Sequence, residues 1–302
     1  MPSTDPRPTK NQRREEARAK ALALKQEQER RARRNRIVAI SGLAVAVIAL
    51  VAVVVGVVRQ GQETAAMYGD VVYGSADAEV TAPALADVTS PSVADETGGI
   101  PVSAAGIGTA GEDDVVVSVY FDFMCPYCGL FDEANGAELE RLSAEEGVTV
   151  LYKPLSFLDG QSKGAAYSTR AANAFAVVAD EDSDNAVAFL TALYENQPEE
   201  GTTGLTDAEI ADIAVEVGVP AAVTEGFTTT VEGTYETADG EQTGTWRAFA
   251  PFIAAATAQA STELGGSLGT PTVLVDGTKW EGDLYTTGPL TAAIEEAVAA
   301  KG

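Results

Sequence analysis

The hydrophobic pattern divides the chain before any single residue does. From Ile37 to Val58 it runs 22 residues without a charge, nearly all Val, Ala, Ile and Leu. About 20 apolar residues cross a bilayer as a helix, so this stretch predicts one transmembrane helix. A cleaved signal peptide is the competing reading, with Thr64-Ala65-Ala66 as a weak cleavage site. Residues 1–36 are polar, with Arg30, Arg31, Arg33, Arg34 and Arg36 crowded against the apolar run. A basic flank of that kind predicts a cytoplasmic N-terminus and an extracytoplasmic remainder. Residues 59–98 show no stable period and predict a flexible tether. A chain of that composition reaches about 40 Å on average.

From residue 99 the pattern is that of a folded domain. Val115 to Phe123 predicts a buried strand, and a helix is expected from Pro126 to about Glu146. Proline at the first helical turn and Gly147 at the end suit its two limits. Val148 to Lys153 predicts a second strand, stopped by Pro154. A long stretch with helical spacing follows: Gly164–Ala179, Asn185–Glu195, Thr206–Val217 and Trp246–Leu264. Thr206-Asp207-Ala208-Glu209 has the form of a capping box. Thr228–Thr245 is rich in Thr, Gly and Glu, and is expected as loop or frayed helix. Thr272–Val275 then predicts a strand, Asp276-Gly277 a tight hairpin, Thr278–Glu281 its return, and Gly288–Ala300 a last helix. The order strand, helix, strand, helical stretch, hairpin, helix indicates an α/β fold with a helical insertion at about 155–268.

Charge sharpens the division. Residues 1–36 carry twelve Lys/Arg against five Asp/Glu, whereas beyond Arg59 there are seven against forty. So acidic a body repels phosphates and argues against nucleic acid. The chain contains no histidine, which removes imidazole bases and most zinc sites. Gly106 to Gly111 formally matches a dinucleotide fingerprint, but a strand follows it where a helix is required.

The candidate chemistry lies at Cys125-Pro126-Tyr127-Cys128, which holds the only two cysteines of the chain. A Cys-x-x-Cys between a strand and a helix reads as a redox pair. The helix N-terminus favours a thiolate at Cys125, and Cys128 stands one turn on. A structural staple is disfavoured, because a bridge across two residues closes almost no loop.

The element order, the separation of 143 positions between Cys128 and Pro271, and three phrases carry a resemblance. The phrases are Tyr120–Cys128, Tyr167–Ala172 and Gly269–Gly277. Over roughly residues 99–302 the chain resembles the DsbA-like thiol–disulfide oxidoreductases, of the membrane-anchored type found in Gram-positive bacteria. The resemblance implies a thioredoxin fold with a long helical insertion, preceded by one transmembrane helix and a flexible tether. It implies that Cys125 is the attacking cysteine and Cys128 the resolving one. Pro271 would be a cis-proline, and Thr270 would face the disulfide and offer its backbone to a client peptide. Pro126 and Tyr127 would support the site. The implied activity is oxidation of cysteine pairs in exported proteins, without a bound cofactor. The implied partner is a membrane enzyme of the vitamin K epoxide reductase-like or DsbB type that reoxidises the pair. A reductase or isomerase of the same fold, for example in cytochrome c maturation, and a non-enzymatic binding module are the alternatives.

Two neighbours depart from the family. Val119 stands where many thioredoxin-fold proteins carry a buried acid. Tyr127 stands where the best-known oxidant of the family has a histidine. Asp122, three positions before Cys125, is either a proton-handling group or a solvated or capping carboxylate.

Overall fold

The computed structural model describes residues 10–68, 72 and 80–302. Two compact units divide the chain, residues 1–60 and 61–302. Helix α1 (Lys10–Tyr68) begins in the first unit, well before the apolar run, and continues to Tyr68, into the segment expected as tether; its apolar side chains from Ile37 to Val58 are exposed. At about 1.5 Å per residue the charge-free run is about 33 Å long, the thickness of a bilayer core. It is the one helix among the described residues that is long and apolar enough to cross a membrane. The basic segment is helical from Lys10 onward. Its Ala, Glu, Lys, Arg and Gln residues are all strong helix formers.

The second unit is built on a mixed six-stranded sheet. In chain order its strands are β2 (Ile100–Ser103), β3 (Gly106–Ile107), β4 (Val115–Asp122), β5 (Val148–Leu155), β8 (Thr272–Val275) and β9 (Thr278–Lys279). They lie in the order β3-β2-β5-β4-β8-β9. The central pair, β4 and β5, is parallel, with Val115 opposite Val148 and Asp122 opposite Leu155. β8 runs antiparallel to β4 and sets Val273 beside Val119. Helix α2 (Pro126–Ser143) connects β4 to β5 as a crossover, and α8 (Pro289–Lys301) closes the chain. Asp276 and Gly277 both have positive φ, as a two-residue hairpin turn between β8 and β9 requires.

Pro154 does not stop its strand, which runs on to Leu155. β2 covers only Val150 to Tyr152, so the strand has a free edge at Pro154, where a missing N–H breaks no pairing. Gly106 and Ile107 form the short strand β3 and residues 108–111 the connection after it, which leads to β4 and not to a helix.

Between β5 and β8 stand α3 (Tyr167–Glu181), α4 (Ala186–Glu195), α5 (Asp207–Glu216), α6 (Ala221–Thr224) and α7 (Ala250–Glu263). The capping box at Thr206 and Glu209 is formed in both directions. Helix α3 is buried on every side from Tyr167 to Ala179, and the rest of the insertion wraps around it. Asp207 joins the insertion together by pairing with Arg170 of α3 at 2.9 Å and with Arg247 at 2.7 Å. Both arginines are buried.

The stretch expected as loop is instead a long hairpin, β6 (Thr230–Thr237) and β7 (Gly240–Arg247), with β1 (Val80–Thr81) on its edge. Threonine suits a strand, and Trp246 anchors the hairpin beside Val80 and Ala250. The expected tether also differs over its second half. Leu85, Val88, Val93 and Ala94 pack against the core, and the Thr97 carbonyl accepts from buried Lys153 at 3.2 Å. Apolar residues this sparse still find a surface when the neighbouring domain supplies it. Residues 69–71 and 73–79 of that tether lie outside the described residues.

Candidate active site

Strand β4 buries Tyr120 and Phe121 at its end and stops at Asp122. The next turn is closed by the Cys125 N–H on the Asp122 carbonyl at 3.0 Å. Cys125 is then the N-cap of α2, with extended backbone angles, and Pro126 takes the first helical position. Proline suits that position because the first N–H groups of a helix have no partner inside it. The chain therefore presents Cys125 at the mouth of the helix and turns Cys128 inward. Both are free thiols; Cys125 is 6% exposed and Cys128 1%.

The two sulfurs sit in opposite electrostatic settings. Cys125 is held down to about 6, first by the hydrogen bond it receives from the Cys128 thiol. Burial works against this, while Thr270 and the backbone N–H groups of Cys128 and Tyr127 add to it. Those N–H groups are the unpaired donors of the first helical turn. Cys128 is pushed the other way, first by burial and then by the charge and hydrogen bond of Cys125. One thiolate and one thiol thus share a single hydrogen bond.

The cis-proline loop closes the other side. The Thr270–Pro271 peptide is cis, and the Thr270 carbonyl lies 3.3 Å from the Cys125 Sγ, from which it accepts when that sulfur is protonated. Tyr127 points outward, 58% exposed, with its ring 5.9 Å from that of Tyr285. Thus Cys125, Cys128, Thr270 and Pro271 converge, Pro126 shapes the helix start, and Tyr127 forms the rim.

Asp122 is fully buried and caps the turn. Its Oδ1 accepts from the Met124 N–H at 2.9 Å and the Ser168 hydroxyl at 2.6 Å; its Oδ2 accepts from the Leu158 N–H at 3.0 Å. Burial raises its carboxyl to about 7 against these donors. Its hydrogen bonds are those of a buried cap, not of a solvated carboxylate. Val119 is buried between Val273 and Tyr152 and leaves the floor of the site apolar where an acid was expected in relatives.

Sequence reasoning missed the insertion's share of the site. Gln197, just after α4, donates from Nε2 to the Phe123 carbonyl at 2.9 Å and the Cys125 carbonyl at 2.8 Å. Tyr194 packs its ring 5.3 Å from that of Phe123. Nothing local marks Gln197, because its partners lie more than seventy residues upstream. Asp132 was missed as well, though its spacing of four from Cys128 places both on one face of α2.

The comparisons with known proteins can be set against this geometry. The sequence profile of the family described as Thioredoxin matches residues 108–296. The chain belongs to the thioredoxin family. This thioredoxin-family chain superposes on oxidised BdbD from Bacillus subtilis with a TM-score of 0.50 and 18% identity, covering 70% of this chain and 98% of that one. That match shows the fold, a thioredoxin fold carrying a helical insertion. Reduced DsbG from Mycobacterium tuberculosis gives a TM-score of 0.49 at 25% identity, over 67% of this chain and 91% of that one. Among curated proteins, the serine/threonine-protein kinase PknE of M. tuberculosis is 34% identical over 112 residues, 35% of this chain. The chain spans 20% of the length of that relative.

Proposed function

We propose that this chain is a membrane-anchored, extracytoplasmic thiol–disulfide oxidoreductase that oxidises cysteine pairs of exported proteins. The observation that carries the reading is the split between the two thiols: Cys125 held down to about 6 at a helix start, Cys128 buried and pushed up. A stable Cys125 thiolate makes Cys125 a good leaving group and its disulfide a strong oxidant.

The chemistry follows from that split. A client thiolate attacks the Cys125 Sγ of the Cys125–Cys128 disulfide. The new bond joins client sulfur to Cys125, and Cys128 leaves with the electron pair. A second client thiolate then attacks the first client sulfur. A client disulfide forms, and Cys125 leaves as the thiolate that its surroundings favour. The backbone beside cis-Pro271 supports binding of an extended client peptide, with Thr270 facing the sulfur. Pro126 holds the helix start and Asp122 holds the turn. Two electrons remain on the reduced pair and pass to a membrane partner of the vitamin K epoxide reductase-like or DsbB type.

The localisation is part of the proposal. Residues 1–36 form the cytoplasmic basic segment and residues 37–58 the single-pass anchor. Residues 59–98 connect it to the catalytic domain at 99–302, outside the membrane. The Arg-rich flank supports this orientation, and disulfides persist outside the cytoplasm.

Equilibration of the pair with glutathione tests the direction. The expected reduction potential lies between about −120 and −200 mV, in the range of disulfide oxidants and isomerases. A value near thioredoxin's, about −270 mV, would overturn the oxidase reading in favour of a reductase. Cys128→Ser is expected to accumulate client proteins as mixed disulfides on Cys125.

A further inference from the structure

The fold leaves one chemical task without an owner. Cys128 is 1% exposed and must lose its proton before it can attack a mixed disulfide on Cys125. Val119 supplies no acid beneath it. Asp122 does not serve either: Cys128 meets the Asp122 backbone, while both carboxylate oxygens are turned to Met124, Ser168 and Leu158.

Asp132 is placed for the task. It follows Cys128 by four residues on α2, so the two side chains share a helix face. Both line a small, partly open cavity of about 10 Å³, with Val119, Phe121, Tyr152 and Tyr194 also on its wall, about the space one water molecule needs. Asp132 also lines a separate open groove on the outer side, between α2 and α4, with Pro126, Gly129, Thr191 and Gln197. It is the one carboxylate that borders both spaces. The Thr191 hydroxyl lies 3.4 Å from its Oδ1. Gly136, one turn further on, leaves the room its carboxylate occupies: a Cβ there would stand 2.8 Å from Oδ1.

We propose that Asp132 is the proton relay for Cys128, exchanging protons with it across the shared cavity and with solvent through the outer groove. The proposal rests on the thiol–disulfide reading above. When Cys128 attacks the Cys125 Sγ of a mixed disulfide, its proton passes to the Asp132 carboxylate. The Cys125–Cys128 bond forms, and the bond from Cys125 to the partner sulfur breaks. The partner leaves as a thiolate with the electron pair. In the reverse direction, protonated Asp132 returns the proton to departing Cys128.

The surroundings suit a group that changes charge near neutrality. Burial lifts the Asp132 carboxyl to about 6, and the Thr191 hydroxyl opposes the lift. Glu195 on α4 and Glu140 on α2 face it with like charge and add to the rise. Tyr152 on β5 and Tyr194 on α4 also face it, both with phenols raised by burial, so neither competes as a base. Cys128 is the remaining titratable group on the cavity wall.

Ellman's reagent separates the steps on the full-length protein in detergent. Cys125 attacks the aromatic disulfide and releases one thionitrobenzoate. Cys128 then displaces the second from Cys125, so two phases appear at one wavelength. In wild type the second-phase rate is expected to fall as pH drops through about 6, because only ionised Asp132 accepts the proton. Asp132→Asn is expected to slow that phase at least tenfold at neutral pH, abolish the step near 6, and change the first phase less than twofold. Asp132→Glu should restore the step. Thr191→Val removes the opposing hydrogen bond and should move the midpoint upward, a response a purely structural role would not give. A second phase in Asp132→Asn with wild-type rate and pH profile would overturn the relay alone. Release of only one equivalent by the wild type would overturn the thiol-exchange reading beneath it.

Discussion

The sheet and the insertion build opposite walls of one site by different means. The wall from the sheet is apolar and regular. β4, β5 and β8 bury Val117, Val119, Val150 and Val273, and the sulfur-bearing turn grows directly from the end of β4. The wall from the insertion is polar and specific. Ser168, the Leu158 N–H, Gln197 and Thr191 reach the turn or the helix behind it through hydrogen bonds. The insertion is itself held by charge, with one carboxylate, Asp207, between two buried guanidinium groups. The difference teaches a division of labour. The sheet and helix start supply the thiolate; the insertion fixes the turn that carries it and lines the route by which protons come and go.

Substitutions on each side test that division. The largest effect belongs to the sheet side: Cys125→Ser should eliminate measurable disulfide exchange in an insulin-reduction or refolding assay while the fold melts cooperatively as before. Asp207→Ala comes next and strikes only the insertion. It leaves two buried arginines without their shared partner and should cost about 3 to 5 kcal/mol in urea unfolding. If the division holds, the Cys125 pKa in the remaining folded protein stays near 6.

Asp122→Ala sits on the seam. It strips the Met124 and Leu158 N–H groups and the Ser168 hydroxyl of one acceptor, and should cost about 3 kcal/mol. Gln197→Leu removes two hydrogen bonds to the carbonyls of Phe123 and Cys125 and should cost about 1 to 2 kcal/mol. Its more telling readout is faster amide exchange at residues 123–126, with the β4–β5 pairing unchanged. Equal loosening of both regions would erase the distinction between the walls.

The two walls also differ in how far they could be read from the chain. The sheet side was legible because each of its features is local. A run of Val, Tyr and Phe, a cysteine pair at a helix start, a Thr-Pro before a strand and an Asp-Gly hairpin each declare themselves within a few residues. The insertion side depends on contacts across the chain. The hairpin at 230–247 was hidden because Thr, Glu and Gly dominate both strands, and only Val231, Tyr235 and Trp246 break the polar run. The segment 80–98 reads as tether by composition, yet Val88 and Val93 are covered by a surface made elsewhere. Asp132 resembles any charged residue on a solvated helix face until α4 is packed against it.

The sign of the thiol linkage follows from the same split. A depressed Cys125 pKa stabilises the reduced, folded protein fully above the unfolded value of 9.0 and loses that contribution as pH falls through about 6. Cys128, raised above 9.0, contributes below that value and loses it higher up. Measured against thiols with ordinary pKa values, such as glutathione or unfolded client cysteines, the reduced pair therefore gains as pH rises from about 6 to 9, because its reduction takes up one proton where theirs takes up two, and the pair becomes a relatively stronger oxidant of them over that window.

Thiolate absorbance at 240 nm, followed against pH in the reduced protein and in Cys128→Ala, tests the central claim most directly. Wild type is expected to ionise one thiol with a midpoint near 6, and Cys128→Ala, lacking the hydrogen bond that contributes most, at a higher pH. A single midpoint near 9 in the wild type, unmoved by Cys128→Ala, would contradict it: Cys125 would then be an ordinary thiol.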